Sequence, residues 1–179
     1  MAPASIFAGR RVGSCSRVPT TTGCRTLRTV VHIARPGGSW LRVRPATASD
    51  PAGWPWPDRR PLHILTAWNP GSERPGDGVN RARQVALEAD LERLALPFVS
   101  AVGVDPATGR REEGVAVRDA AGSAMVALTA DYGQDAIFAW TPEEWSIVAC
   151  GDGRRLTSGW SILPPEPGFP FSPAPAAPI

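Results

Sequence analysis

The chain of 179 residues contains no lysine; all 19 of its basic residues are arginine. We read this as the codon usage of a GC-rich genome rather than as chemistry. Cysteine is scarce, and Cys15, Cys24 and Cys150 are too few and too scattered for a disulfide framework. Together with His32 and His63 they match no zinc-ligand spacing, so no metal is implied. Such cysteine usage fits a reducing cytosol, and a cytoplasmic location is expected. No apolar run approaches the roughly 20 residues of a membrane span, so no membrane partner is expected. A phosphate loop, a dinucleotide fingerprint and a metal motif are all missing, which leaves no cofactor to expect. There is no internal repeat.

What is present is unevenly charged. Residues 1–60 carry ten arginines against Asp50 and Asp58, whereas residues 61–163 carry nine arginines against 14 acids. A nucleic-acid surface needs a basic face on the folded part, and the balance here opposes one. The first 60 residues, rich in Arg, Ser, Thr, Gly and Pro, resemble an organellar transit peptide. The same composition arises when a GC-rich upstream region is translated from a wrong start codon, and a basic arm for nucleic acid is a third reading. We therefore expect a disordered leader at 1–60, one domain at 61–163, and a disordered Pro/Ala-rich tail at 164–179. Neither a stray short strand at Thr29 to Ala34 nor packing of Trp40, Trp54 and Trp56 onto the domain is counted on.

Within the domain, Leu62 to Trp68 is an apolar run with strand character, stopped by the turn chemistry of Asn69-Pro70-Gly71-Ser72. A helix starts near Asn80, with Leu87, Leu91 and Leu94 as its buried stripe. Extended backwards, that stripe carries Gln84, Arg83 and Asn80. Phe98 to Val104 and Gly114 to Arg118 read as a hairpin about Asp105-Pro106-Ala107-Thr108-Gly109. Ala120 to Tyr132 is a second helix, ended by Gly133. Ala136 to Thr141, Trp145 to Cys150 and Leu156 to Ile162 are three further strands.

The order strand, helix, strand, strand, helix, strand predicts an α/β fold, a ferredoxin-like β-α-β-β-α-β plait with an added edge hairpin. In that plait one end of the sheet gathers Asn69, Pro70, Ser72, Asn80 and Arg83, then Arg110, Arg111, Glu112 and Glu113, then Gly133, Gln134 and Asp135.

The segments TAWNPGS (Thr66 to Ser72) and DYGQDAIFAW (Asp131 to Trp140), with Asn80 and Arg83 between them, resemble the bacterial domain of unknown function 3293 family. The likeness covers roughly Leu62 to Cys150, and Tyr132 stands where the family pattern more usually has Phe. It implies a bacterial, cytosolic protein of one domain and no activity.

Asn69, Ser72, Asn80, Arg83 and Gln134 are the candidate ligand-binding residues. Four of them also have an internal explanation: Asn69 as an Asx turn, Asn80 as a cap for free amides, Arg83 paired with Glu113 or Asp135, and Gln134 closing a helix or reaching across to Asn69. As a group they read first as a buried polar network joining two turns. No catalytic residues are assigned. His63 has no nucleophile at recognisable spacing, and the carboxylates of Glu112 and Glu113 point to opposite faces of a strand. The function expected is a small-molecule- or anion-binding, regulatory domain that uses the Asn/Arg/Gln end of the sheet, with an anionic small molecule as partner. The alternative is a protein-interaction or nucleic-acid module that uses the open sheet face or the basic leader.

Overall fold

Apolar residues recur on both faces of most strands, and that decides the architecture. The structure, a computed structural model, describes residues 28–169. It contains β1 (Val30–Ala34), β2 (Trp40–Ala46), β3 (Leu62–Leu65), α1 (Asp77–Arg93), β4 (Phe98–Val104), β5 (Arg111–Arg118), α2 (Gly122–Asp131), β6 (Ala136–Trp140), β7 (Trp145–Ala149) and β8 (Arg155–Leu163). The strands close into a barrel in the order β1-β2-β8-β7-β6-β3-β5-β4. Every neighbouring pair is antiparallel, and β1 on β4 completes the circle, with His32 opposite Val102.

Strand alternation sends one residue set inward and the other out. Val31, Ile33, Val43, Leu62, Ile64, Val99 and Trp140 belong to one buried cluster, the barrel interior. Leu65, Val115, Val117, Ile137 and Ala139 belong to a second cluster, between the outer wall and the two helices. From α1 this outer layer receives Leu87 and Leu91, and from α2 it receives Met125, each nearly inaccessible. Full burial of a side chain of this size contributes about 1.5–3 kcal/mol. Leu94 does not join the stripe and is 53% exposed. The helix ends at Arg93, and Ala95 turns the chain with a φ of 54°.

The expected ferredoxin-like plait is therefore not the architecture. Its neighbours are present, since β3 pairs with both β5 and β6, but a plait leaves the face opposite its helices open. Here that face carries Ile64, Ala116 and Trp140, too apolar to meet water. It curls round to enclose them, using β1, β2, β7 and β8. The open sheet face needed for the interaction reading is thus the enclosed inside of a barrel.

Domain limits shift for the same reason. The barrel begins at Val30, not Pro61, because β1 and β2 supply Val31, Ile33, Leu41 and Val43 to the interior. Past β8, Arg42 Nη1 donates to the Pro164 carbonyl at 2.8 Å. Phe169 stacks on His32 with ring centroids 3.8 Å apart. The start of the expected tail thus lies against the outer wall. The rest of the expected leader and tail, 1–27 and 170–179, lies outside the described residues.

The connection from β2 to β3 runs over β8 at Gly159, where an added Cβ would sit 2.1 Å from the Ala48 carbonyl carbon. It then inserts Trp54 edge-on against Trp140, at 4.8 Å, and Trp160, at 6.1 Å. Arg118 Nη2 bonds Asp58 at 2.5 Å and its guanidinium lies 5.4 Å from the Trp56 ring, which fixes this segment. One end of the barrel is filled by these indoles. Among the described residues no helix is long and apolar enough to cross a membrane.

Candidate functional site

At the opposite end β3 stops at Leu65, and the chain leaves through Thr66, Ala67 and Trp68 into a left-handed Asn69, with φ 51° and ψ 57°. Asn tolerates this conformation because its short amide finds local bonds. The Asn69 N–H donates to Asn80 Oδ1 at 3.0 Å, and Asn80 Nδ2 donates back to Asn69 Oδ1 at 3.1 Å. Gln84, one turn along α1, accepts from Ala67 N at 3.2 Å. Arg83 Nε donates to the Ala67 carbonyl at 2.9 Å, and its Nη2 donates to the Tyr132 carbonyl. Gln134 Nε2 donates to the Trp68 carbonyl at 2.6 Å. Gly71 N donates to the Gly133 carbonyl at 2.8 Å.

An irregular strand exit buried under two helices would strand its peptide groups without partners. Four amide or guanidinium side chains supply them. Of the expected site residues, Asn69, Asn80, Arg83 and Gln134 lie together here, each with internal bonds. Arg83 meets main-chain carbonyls rather than Glu113 or Asp135. Glu113 lies 3.6 Å from Arg81 instead. Ser72 ends a short 3-10 turn, Pro70–Ser72, and its side chain lies outside the described ones.

Inside this collar is a cavity of about 390 Å³. Its apolar lining includes Val31, Ile64, Ala101 and Phe138, and its polar lining includes Thr66, Asn69, Arg74, Arg110, Glu112, Gln134 and Asp135. The space exists because inward positions are small near this end. Gly103 stands opposite both Val31 and Glu112, and Ala101 stands opposite Gly114. An added Cβ on Gly114 would come 2.4 Å from the Leu65 carbonyl oxygen, so only glycine lets β5 approach β3 there.

Glu112 and Glu113 do point to opposite faces, as alternation requires. Glu112 faces in and accepts from Asn69 Nδ2 at 2.7 Å, with Arg110 Nη2 at 3.8 Å from the same oxygen. Trp68, only 8% exposed, lines the cavity, and its indole N–H is buried without an acceptor among the described residues. Sequence reasoning placed Arg110 and Glu112 at this end without making them site residues, and it did not single out Arg74 or Phe138. The run of small residues at Ala101, Gly103 and Gly114 was the available signal, since small side chains on inward positions leave volume unfilled.

Other reactive groups lie elsewhere. His63 points outward beneath α2, its Nε2 3.2 Å from where a Gly122 Cβ would be. Burial, with the Arg155 charge adding to it, lowers the His63 pKa. Burial, reinforced by Asp135, pushes the Cys150 thiol up to about 11, away from the thiolate. Among the described residues no three of His, Cys, Asp and Glu converge to hold a metal ion.

A family model described as a protein of unknown function (DUF3293) matches residues 65–137. No curated protein and no solved structure matches the chain.

Proposed function

The chain belongs, through residues 65–137, to the DUF3293 family of proteins of unknown function, and we propose that it is a small-molecule-binding domain whose ligand enters the open end of the barrel. The observation that carries this reading is the cavity itself. At about 390 Å³ it falls within the roughly 300–1,000 Å³ of ordinary ligand sites, which combine an apolar lining with a few polar groups. One barrel end is packed with indoles while the other is left hollow and ringed by bonded side chains, an arrangement that gives a ligand a preformed seat.

In this reading Asn69 and Gln134 touch the ligand, whereas Asn80 and Arg83 hold the loop that carries them. Arg74 and Arg110 supply the charge for an anionic group. Bound ligand would steady the Thr66 to Gly71 loop against α1 and α2, a response suited to regulation. The matched family segment runs from the end of β3 to the start of β6, the portion that builds this collar.

The test is a thermal-shift and ligand-observed NMR comparison of the wild type with Ala101→Leu, which fills the cavity from its wall. Probes are indole and 3-phenylpropionate. Binding that raises the wild-type melting temperature and is lost in a folded Ala101→Leu supports the site. Probes that bind neither protein, or both equally, would sink it.

A further inference from the structure

We infer that the cavity takes a zwitterion with an apolar body, in the class of free α-amino acids with a large aromatic or aliphatic side chain; this rests on reading the cavity as a ligand site. The argument is one of charge placement. Glu112 uses a single oxygen, Oε1, for both Asn69 and Arg110, which leaves Oε2 without a partner among the described residues. The Asp135 carboxylate, also in the lining, makes no hydrogen bond or ion pair among the described residues. Arg74 likewise lines the cavity, and its guanidinium makes none. Arg110 spends only one long contact, at 3.8 Å, on Glu112.

A simple anion entering here would satisfy the arginines but face Glu112 and Asp135, and also Asp105, a third lining carboxylate that already accepts from Ala107 N and Thr108 Oγ1. A simple cation would satisfy the carboxylates and face two guanidinium groups. Like charges left side by side next to a low-dielectric wall are costly. A ligand that carries an ammonium and a carboxylate close together meets both signs at once, with the ammonium on Glu112 and the carboxylate on Arg110 or Arg74. Its side chain then has Val31, Ile64, Ala101 and Phe138 to pack on.

The experiment is calorimetric titration of the full chain with L-phenylalanine, 3-phenylpropionate and phenethylamine, which share one apolar body and differ in charge. L-phenylalanine should bind at least about tenfold more tightly than either singly charged analogue. Glu112→Gln should weaken L-phenylalanine and phenethylamine but not 3-phenylpropionate, and Arg110→Gln should weaken L-phenylalanine and 3-phenylpropionate but not phenethylamine. If 3-phenylpropionate binds as tightly as L-phenylalanine, and Ala101→Leu abolishes both, the ligand is an anion. The cavity reading then stands and the zwitterion inference falls. If none of the three binds, the zwitterion inference falls, and indole decides the cavity reading separately.

Discussion

Asn80 and Asn69 bond each other twice, the side-chain oxygen of Asn80 accepting from the Asn69 main chain and its amide donating to the Asn69 side chain, at 3.0 and 3.1 Å. Asn80 is 2% exposed, so water cannot replace it. Asn80→Ala takes this partner from one donor, the Asn69 N–H, and from two acceptors, Asn69 Oδ1 and the Pro75 carbonyl, and should cost about 1–3 kcal/mol. Urea unfolding that shows no loss would mean the left-handed turn holds without α1.

Arg83 binds two carbonyls from two different loops, those of Ala67 and Tyr132. Charged hydrogen bonds contribute about 1.5–3 kcal/mol, so Arg83→Ala should destabilise by about 3 kcal/mol. Arg83→Lys should recover little, because an ammonium lacks the planar fork that reaches both acceptors. Full recovery by lysine would show that charge alone is at work. Phosphate should not raise the wild-type melting temperature through this residue.

Much of this was legible in the sequence. Leu87 and Leu91 fix α1, the Asp105 to Gly109 turn fixes the β4–β5 hairpin, and the polar residues Asn80, Arg83 and Gln84 on an apolar stripe announced a network. What misled was the treatment of each strand as having one buried face. Phe98 to Val104 and Ala136 to Trp140 are apolar on both faces, which a sheet with one open face does not require. Trp40-Leu41-Arg42-Val43-Arg44 alternates as a half-buried strand should, but lies within an Arg-rich stretch whose composition suggested a leader. The cavity was hidden because an empty volume depends on which small residues meet across strands, and pairing such as Gly103 with Glu112 is long-range information.

Because β1 and β2 close the barrel, a chain starting at Pro61 should not fold. It would expose Ile64, Val99 and Ala101 and leave β4 and β8 as unpaired edges, an invitation to aggregate. Circular dichroism and gel filtration of residues 61–179 should show a molten or associated species. A cooperative, monomeric fold from that fragment would contradict the closed barrel.

Two glycines facing the same cavity should respond differently to alanine. Gly114→Ala puts a methyl 2.4 Å from the Leu65 carbonyl oxygen, which must move β3 from β5 and should cost about 1–3 kcal/mol. At Gly103 the nearest atom is Thr29 Cγ2, at 3.5 Å, an ordinary contact, so alanine there should be tolerated. Equal melting temperatures for the two variants would refute the close approach of the strands.

Stability should also fall as pH drops below neutral, and His32 gives the sign. It is 1% exposed on the outer wall, stacked on Phe169, with Nδ1 unpaired among the described residues. Burial, then the nearby Arg42 and more weakly Arg111, lower its pKa from 6.5 to about 4, while Glu166, 3.7 Å from Nε2, opposes them. The unfolded chain therefore takes up a proton that the folded chain refuses. The contribution of neutral His32 is fully present above pH 6.5 and is lost as pH falls towards about 4. His63, lowered by its own burial, acts in the same direction. Phenylalanine at position 32 keeps the ring against Phe169 but cannot titrate. Urea unfolding of wild type and His32→Phe at neutral pH and at about pH 5 should give a shallower decline for the variant. Parallel declines would assign the pH dependence to His63 and the carboxylates, and would mean that the Pro164 to Phe169 segment leaves His32 open to water.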